Sequence, residues 1–476
     1  MKQELHTIEQ AGRTPFTLQL PTASSLAPLR CFEIVRCLPG KRLACLAEWQ
    51  GRTVFAKLFI DRRRAKVHWQ RESEGCRALL ERGIVAPLLL HSGRLEEENG
   101  FVLLFEYICE GRSFLECWQS ASDVERLDLL LDLTDVLAGH HRQGIVQNDL
   151  HLDNFLCARG RIHTLDGADI AAVSTPVPKQ AALQNLALFL AQLPTEDERH
   201  IDAIHRRYAA GRGWAAARRD RERLHTYVMH KQKQRQRHLF KRIFRECRDF
   251  RCSSSWRNFS VFDKADDTPA LRTLLEDPDR AMASGEPLKL GNTATVVRVT
   301  IDGRTFVIKR YNIKNRRHGL QRAFRPTRAA ISWRNAHRLL FYGIATPKPV
   351  ALIERRFGPI RRTAYFITEH IEGIDCRAFF DDPAAAHHRR EIIVAQVAAL
   401  LQKLCRHHIS HGDLKATNFL IGEDTAFLID LDAMQEHSLL FRFRRRRQRD
   451  MKRFFKNWEA NPTVGALFSR LLNDYC

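Results

Sequence analysis

A ten-residue pattern occurs twice in this chain, 264 positions apart, and any fold must house both copies. Residues 147–156 read Gln-Asn-Asp-Leu-His-Leu-Asp-Asn-Phe-Leu, and residues 411–420 read His-Gly-Asp-Leu-Lys-Ala-Thr-Asn-Phe-Leu. Each holds an Asp (Asp149, Asp413), an Asn five positions on (Asn154, Asn418), and then Phe-Leu. A second Asp follows 17 positions after the first, ending an apolar run: Asp166 after Ile162–Leu165 and Asp430 after Phe427–Ile429. A lone Asp before Leu is an ordinary cap, and Asp-x-x-x-x-Asn alone is common. The ordered set, present twice, describes a site with one acid–base carboxylate and two oxygen ligands for a hard cation.

The repeat extends toward the N-terminus of each copy. Residues 53–59 and 305–311 are strand-like runs that contain Lys57 and Lys309, each after a short turn, Gln50-Gly51-Arg52 or Asp302-Gly303-Arg304. Helical patterns over 72–82 and 332–342 stop at Gly83 and Gly343, with Pro87 and Pro347 beyond. Apolar strands then reach Glu106 and Glu369, where backbone groups of a hinge would meet adenine. The offset between copies is 252 at the lysines, 260 at the Gly-Ile stops and 264 at the loops. A slow, one-way drift is what duplication with small insertions leaves. The boundary is placed near 240, giving domains 1–240 and 241–476, with a preamble over 246–290.

These residue types suit phosphoryl transfer, which asks a protein for charge neutralisation and alignment. Lys57 and Lys309 would hold the α- and β-phosphates of ATP. Asp149 and Asp413 would orient the attacking hydroxyl. Asn154 with Asp166, and Asn418 with Asp430, would hold Mg²⁺. Lys415 can steady the γ-phosphate; His151 stands at that place in the first copy. The helix acid that pairs with the strand lysine is Glu72 in the first copy, but Ser332 in the second, so the second needs another acid. The segments expected to cover phosphate, Leu38–Lys41 and Lys289–Thr293, lack G-x-G-x-x-G. Neither metal Asp is followed by Ala-Pro-Glu, so no long peptide-binding segment is expected.

Composition narrows the class. The net charge is +22 on 476 residues, which favours an anionic partner. The run Arg442–Arg449 is either an exposed basic helix face or part of the acceptor side, and Lys231–Arg237 is a second basic run. No nucleic-acid motif accompanies the charge, so no nucleic acid is expected. Twelve scattered cysteines lack zinc spacing and are read as mostly packed, reduced thiols. The adjacent His pairs are poor metal sites, since neighbouring helix positions diverge. No apolar run is long enough to span a membrane, and Met1–His6 lacks the h-region of a signal peptide. The expected compartment is cytoplasmic.

The run His411–Ile421, then Leu428-Ile-Asp-Leu-Asp432, resembles the bacterial lipopolysaccharide kinases, the Kdo and inner-core heptose kinases. Lys309–Asn315, Ser332–Leu339 and Gly343–Pro347 look like tandem-domain members of that group, and the first copy is similar in its loop and metal Asp. The resemblance implies an α+β protein of two tandem protein-kinase-like bilobal domains, each with an antiparallel N-lobe sheet and a helical C-lobe. It implies an ATP- and Mg²⁺-dependent phosphotransferase acting on a sugar hydroxyl of the lipopolysaccharide core. Its partners would be lipid A-core and the anionic cytoplasmic face of the inner membrane, where the protein would sit peripherally. Two other readings stay open: a kinase for another small-molecule or protein acceptor, and a scaffold in which one or both copies are pseudokinases.

Overall fold

The structure is a computed structural model that describes residues 15–22, 26–95, 100–194, 197–291, 293–312, 325–383, 386–423 and 425–472. Met1–His6, Asn292 and Ile313–Asn315, all used above, lie outside them. The chain divides into two compact units, Met1–Lys233 and Gln234–Cys476. The division falls within the helix Arg218–Arg242, so the basic run Lys231–Arg237 is helical.

Both units mix antiparallel sheet with helices. The first has a six-stranded sheet in the order Phe16–Pro21, Leu26–Leu38, Arg42–Trp49, Arg52–Phe59, Phe101–Glu106, Leu89–Arg94. The second has a seven-stranded sheet whose centre is Pro349–Phe357, Ile360–Glu369, Arg304–Tyr311 and Ala294–Ile301. The preamble is not a separate element. Phe250–Ser254 and Asn258–Asp263 add two strands beside Pro349–Phe357. The helices Pro269–Glu276 and Pro278–Ala283 supply Leu271, Leu274 and Met282, which pack with Phe306 and Ile308 on one face of the sheet. A strand's period of two sends Lys309 to the other face.

The strand hairpins close alike. Gln50-Gly51 and Asp302-Gly303 are two-residue loops with positive φ at both positions (50° and 71°; 49° and 76°). That is the turn whose twist matches a right-handed strand pair. The helices that follow are longer than their apolar patterns suggested: Ala65–Glu81 and Arg328–Phe341. Thr327 caps the second by accepting from Ala330 N–H. In the second unit Trp333 and Leu339 of that helix enter a core shared with Val397, Leu401, Phe419 and Phe454. In the first unit the helix Asp123–Arg142 packs Leu130, Leu133 and Leu137 against Leu186, Phe189 and Tyr208. Ten of the described cysteines are free thiols, but Cys405 is disulfide-bonded, which corrects the reading of packed, reduced thiols at that position.

Candidate active site

The two segments that hold Asp149–Asn154 and Asp413–Asn418 fold alike. Asn154 Nδ2 donates to the Asp149 carbonyl at 2.8 Å, and Asn418 Nδ2 to the Asp413 carbonyl at 2.7 Å. Leu165 N–H bonds Asn154 O, and Ile429 N–H bonds Asn418 O. With each amide nitrogen spent on a carbonyl, the Oδ1 of each Asn is the side-chain atom left as an acceptor, the kind of oxygen a hard cation needs. Asp166 and Asp430 both hold φ of 62°, an uncommon conformation for a residue with a side chain. Strain of that kind persists only where surroundings enforce it, and it clusters at functional positions.

In the first unit Lys57, Glu72 and Asp166 converge. Lys57 Nζ is paired with the Glu72 carboxylate and lies 3.4 Å from Asp166 Oδ1. Glu72 is fully buried, and its Oε1 also accepts from Gly167 N–H at 3.2 Å. Arg42, which the sequence reading missed, lies 3.5 Å from the other oxygen. The turn after Asp166 sits hard against the helix: a Cβ on Gly167 would lie 2.3 Å from Glu72 O and 2.6 Å from Cys76 N. Burial opposes the charge on Asp166, but the positive charges of Lys57 and Arg42 help outweigh it, and the carboxyl is held down to about 2. Lys57 is raised despite its burial, by Glu72 and Asp166.

Lys57, Asn154 and Asp166 line a cavity of about 470 Å³ together with Ala44, Leu46 and Phe105. Glu106, Tyr107 and Ile108 form part of its rim. Glu106 N–H is already bonded to Leu88 O at 2.9 Å. Leu38–Lys41 is a tight turn closed by Lys41 N–H to Leu38 O, and the cavity wall above Lys57 comes instead from strand residues Glu33, Val35, Arg36 and Arg42.

The second unit orders its lysine differently. Lys309 Nζ lies 2.5 Å from Asp430 Oδ1 and 3.5 Å from Asp432 Oδ2. Asp432 is in turn held by Arg328 at 2.7 Å, from the first turn of the helix. Ser332, at the place of the helix acid, is buried and hydrogen-bonds the Tyr311 hydroxyl at 2.8 Å. The missing carboxylate therefore enters from Asp432, two residues after the metal-ligand candidate. The signal was present in Leu428–Asp432, whose second Asp had been given no role. Burial opposes ionisation of Asp430, but Lys309 keeps it below the usual carboxylate range. Glu369 turns its carboxylate away, to Arg304 at 3.2 Å and Lys348 at 3.8 Å, in a network with Asp266.

The helix Leu440–Lys456 supplies two groups that local sequence did not flag. Asp450, buried, accepts from His411 N–H (2.7 Å) and Gly412 N–H (3.0 Å), fixing the loop before Asp413. Arg453 Nη2 lies 2.7 Å from Asp413 Oδ1, while Lys415 Nζ lies 3.0 Å from Oδ2. In the first unit Asn185 does the anchoring, donating to the Gln147 carbonyl at 2.8 Å. Only an amide or carboxylate at one helix position, far along the chain, marks this role. The His140–His141 pair is buried and bonded within the first unit: His141 bonds Tyr208 (2.5 Å) and Asn185 (2.9 Å), and His140 bonds Thr164 (3.0 Å).

Residues 276–475 match the lipopolysaccharide kinase (Kdo/WaaP) family model. No curated protein matches the chain. The matched stretch lies within the second unit, Gln234–Cys476, and covers less than half of the chain. Among the described residues no helix is long and apolar enough to cross a membrane.

Proposed function

We propose that the chain is an ATP-dependent kinase that phosphorylates a sugar, a heptose, of the lipopolysaccharide inner core, and that both units are kinase-like bilobal domains. The observation that carries this is Lys309 beside Asp430 and Asp432, inside the stretch that matches the family. The same residue types recur in the first unit, around a cavity with an apolar wall and a charged end.

Lys57 and Lys309 bind the phosphates of ATP. Tyr107 and Ile108 offer backbone groups to adenine beyond Glu106, whose N–H is taken. Asp149 and Asp413 orient the sugar hydroxyl and receive its proton, and Lys415 steadies the phosphoryl group in flight. Asn154 with Asp166, and Asn418 with Asp430, fit Mg²⁺: each pair offers an amide oxygen and an ionised carboxylate. When bound, Mg²⁺ neutralises charge on the phosphates. The net charge of +22 suits peripheral attachment to the anionic cytoplasmic face of the inner membrane. Such attachment is screened within about 8 Å at physiological salt, so high salt releases the protein.

Mass spectrometry of core oligosaccharide from a strain lacking the protein tests the acceptor. Loss of one phosphate per core is the expected result; an unchanged core overturns it.

A further inference from the structure

The helix Leu440–Lys456 keeps two tasks on two faces. Phe443, Asp450 and Phe454 are its buried residues. Arg442, Arg445, Arg446, Arg449 and Arg453 recur at three- and four-residue spacing on an exposed face that flanks the buried one. At one end of this stripe Arg453 meets Asp413. At the other, Arg442, Arg445, Arg446 and Arg449 line an open cavity of about 450 Å³ with the segment Gln435–Leu439. Among the described residues, no carboxylate forms an ion pair with these four arginines. The one carboxylate in the lining, Glu436, lies 3.3 Å from Arg338 outside it. Four guanidinium groups around one cavity repel one another until an anion joins them, and their planar forks match phosphate. Next to them, Leu439, Leu440 and Phe441 are 44%, 52% and 66% exposed.

We infer that this cavity is a subsite for a phosphate group the acceptor already carries, set back from the hydroxyl that receives the new one. The inference rests on the acceptor-kinase reading and adds to it a requirement on the substrate. Arg445 and Arg446 lie about 11 Å along the helix from Arg453. The bound phosphate and the reacting hydroxyl therefore belong to different sugars of one glycan. The apolar tip at Leu439–Phe441 lies beyond the arginines as seen from Asp413. It suits a glycan held by a lipid: apolar end, phosphate and hydroxyl follow one another along one helix.

The test uses the full chain with three acceptors: truncated-core lipopolysaccharide, the same material dephosphorylated with hydrofluoric acid, and the same material deacylated. Wild type is expected to show a KM at least about tenfold higher on the dephosphorylated acceptor. Arg445→Gln with Arg446→Gln raises KM on the phosphorylated acceptor by a similar factor, keeps kcat, and no longer distinguishes the two. Phe441→Ser raises KM for the intact acceptor and not for the deacylated one. A double variant that still discriminates like wild type overturns the subsite. An unaltered KM in Phe441→Ser overturns the lipid-borne source. If wild type transfers phosphate to none of the acceptors, the kinase reading fails, and calorimetry with pyrophosphate decides the subsite separately. With nucleotide sites filled by a non-hydrolysable ATP analogue, wild type binds pyrophosphate; the double variant loses that binding if the inference holds and keeps it if not.

Discussion

Arg453 Nη2 lies 2.7 Å from Oδ1 of Asp413, and Lys415 Nζ lies 3.0 Å from Oδ2 of the same carboxylate. The acid–base candidate of the second unit is thus clamped from both sides. Among the described residues, Asp149 has no such pair. A carboxylate held at both oxygens keeps one orientation toward an incoming hydroxyl, which is where positioning contributes to rate.

Arg453→Met is therefore expected to lower kcat of the second unit about tenfold while leaving ATP affinity within a factor of about two. Single-turnover transfer and nucleotide titration on the same variant measure both. A loss of ATP binding without a change in kcat would assign Arg453 to the nucleotide instead.

Asp432 performs in the second unit the task that Glu72 performs in the first. Asp432→Asn should weaken ATP binding to the second unit by about tenfold or more, as Glu72→Gln should for the first, since each leaves a buried lysine with one counter-charge fewer. Ser332→Glu should not help. It buries a carboxylate against Tyr311, whose hydroxyl burial already pushes up to about 12, and it breaks the Tyr311–Ser332 bond. Equilibrium unfolding is expected to show Ser332→Glu less stable by several kcal/mol, about 3 or more. A stable Ser332→Glu with improved turnover would refute the substitution of Asp432 for the helix acid.

Gly167 carries the contact between the Asp166 turn and the helix that bears Glu72. A methyl group there would press on Glu72 O and Cys76 N, both backbone, so neither can swing aside. Gly167→Ala should cost about 1–3 kcal/mol and loosen the Lys57–Glu72 pair. Denaturant titration gives the first quantity. Nucleotide affinity of the first unit reports the second.

Much of this was legible because it is local. The loop Asp, the following Asn and the second Asp sit at fixed spacing, and hydrogen bonds within about twenty residues hold them. Lys57 and Glu72 follow from strand and helix periods. What escaped was set by distant packing. Asp450 and Arg453 lie 37 and 40 residues beyond Asp413, and nothing in their neighbours marks one as facing a loop backbone and the other a carboxylate. The strands Phe250–Ser254 and Asn258–Asp263 were passed over as a preamble: only Asn258–Asp263 pairs with Pro349–Phe357, almost 100 residues on, and Phe250–Ser254 joins the sheet by pairing with Asn258–Asp263. The hinge acids show a third limit: position along a strand foretells where Glu369 lies, but Arg304 and Lys348 decide where its carboxylate points.

Buried histidines make the fold acid-sensitive. Burial drives His140 and His337 down to about 3, and His141 down to about 4. Below their ordinary value of 6.5 the unfolded chain takes up these protons and the folded chain does not, so stability falls as pH falls. The loss runs from about pH 6.5 down to the folded values, at up to about 1.4 kcal/mol per pH unit for each histidine, or about 2 kcal/mol each by pH 5. Urea unfolding at pH 7.5, 6 and 5 should show a steadily earlier transition. His337→Phe, between Trp333 and Phe250, should flatten the share owed to the second unit. A midpoint independent of pH over that range would contradict this.

The two units need not share the work equally, and their sites differ in a way that kinetics can separate. The first has Lys57 with Glu72, the Asn154–Asp166 pair and a formed cavity. The second has Lys415 and Arg453 on its acid–base candidate, the Asp432 replacement, and the family match. Orientation of the attacking hydroxyl favours the second as the principal site. Removing a catalytic carboxylate costs several kcal/mol of transition-state stabilisation, on the order of a thousandfold in rate. Asp413→Asn is therefore expected to abolish transfer to the core acceptor, and Asp149→Asn to leave most of it, with ATP binding retained in both. The two variants are assayed in parallel on one acceptor preparation. Full activity in Asp413→Asn with none in Asp149→Asn would move turnover to the first unit and leave the Arg453–Asp413 clamp without a catalytic role.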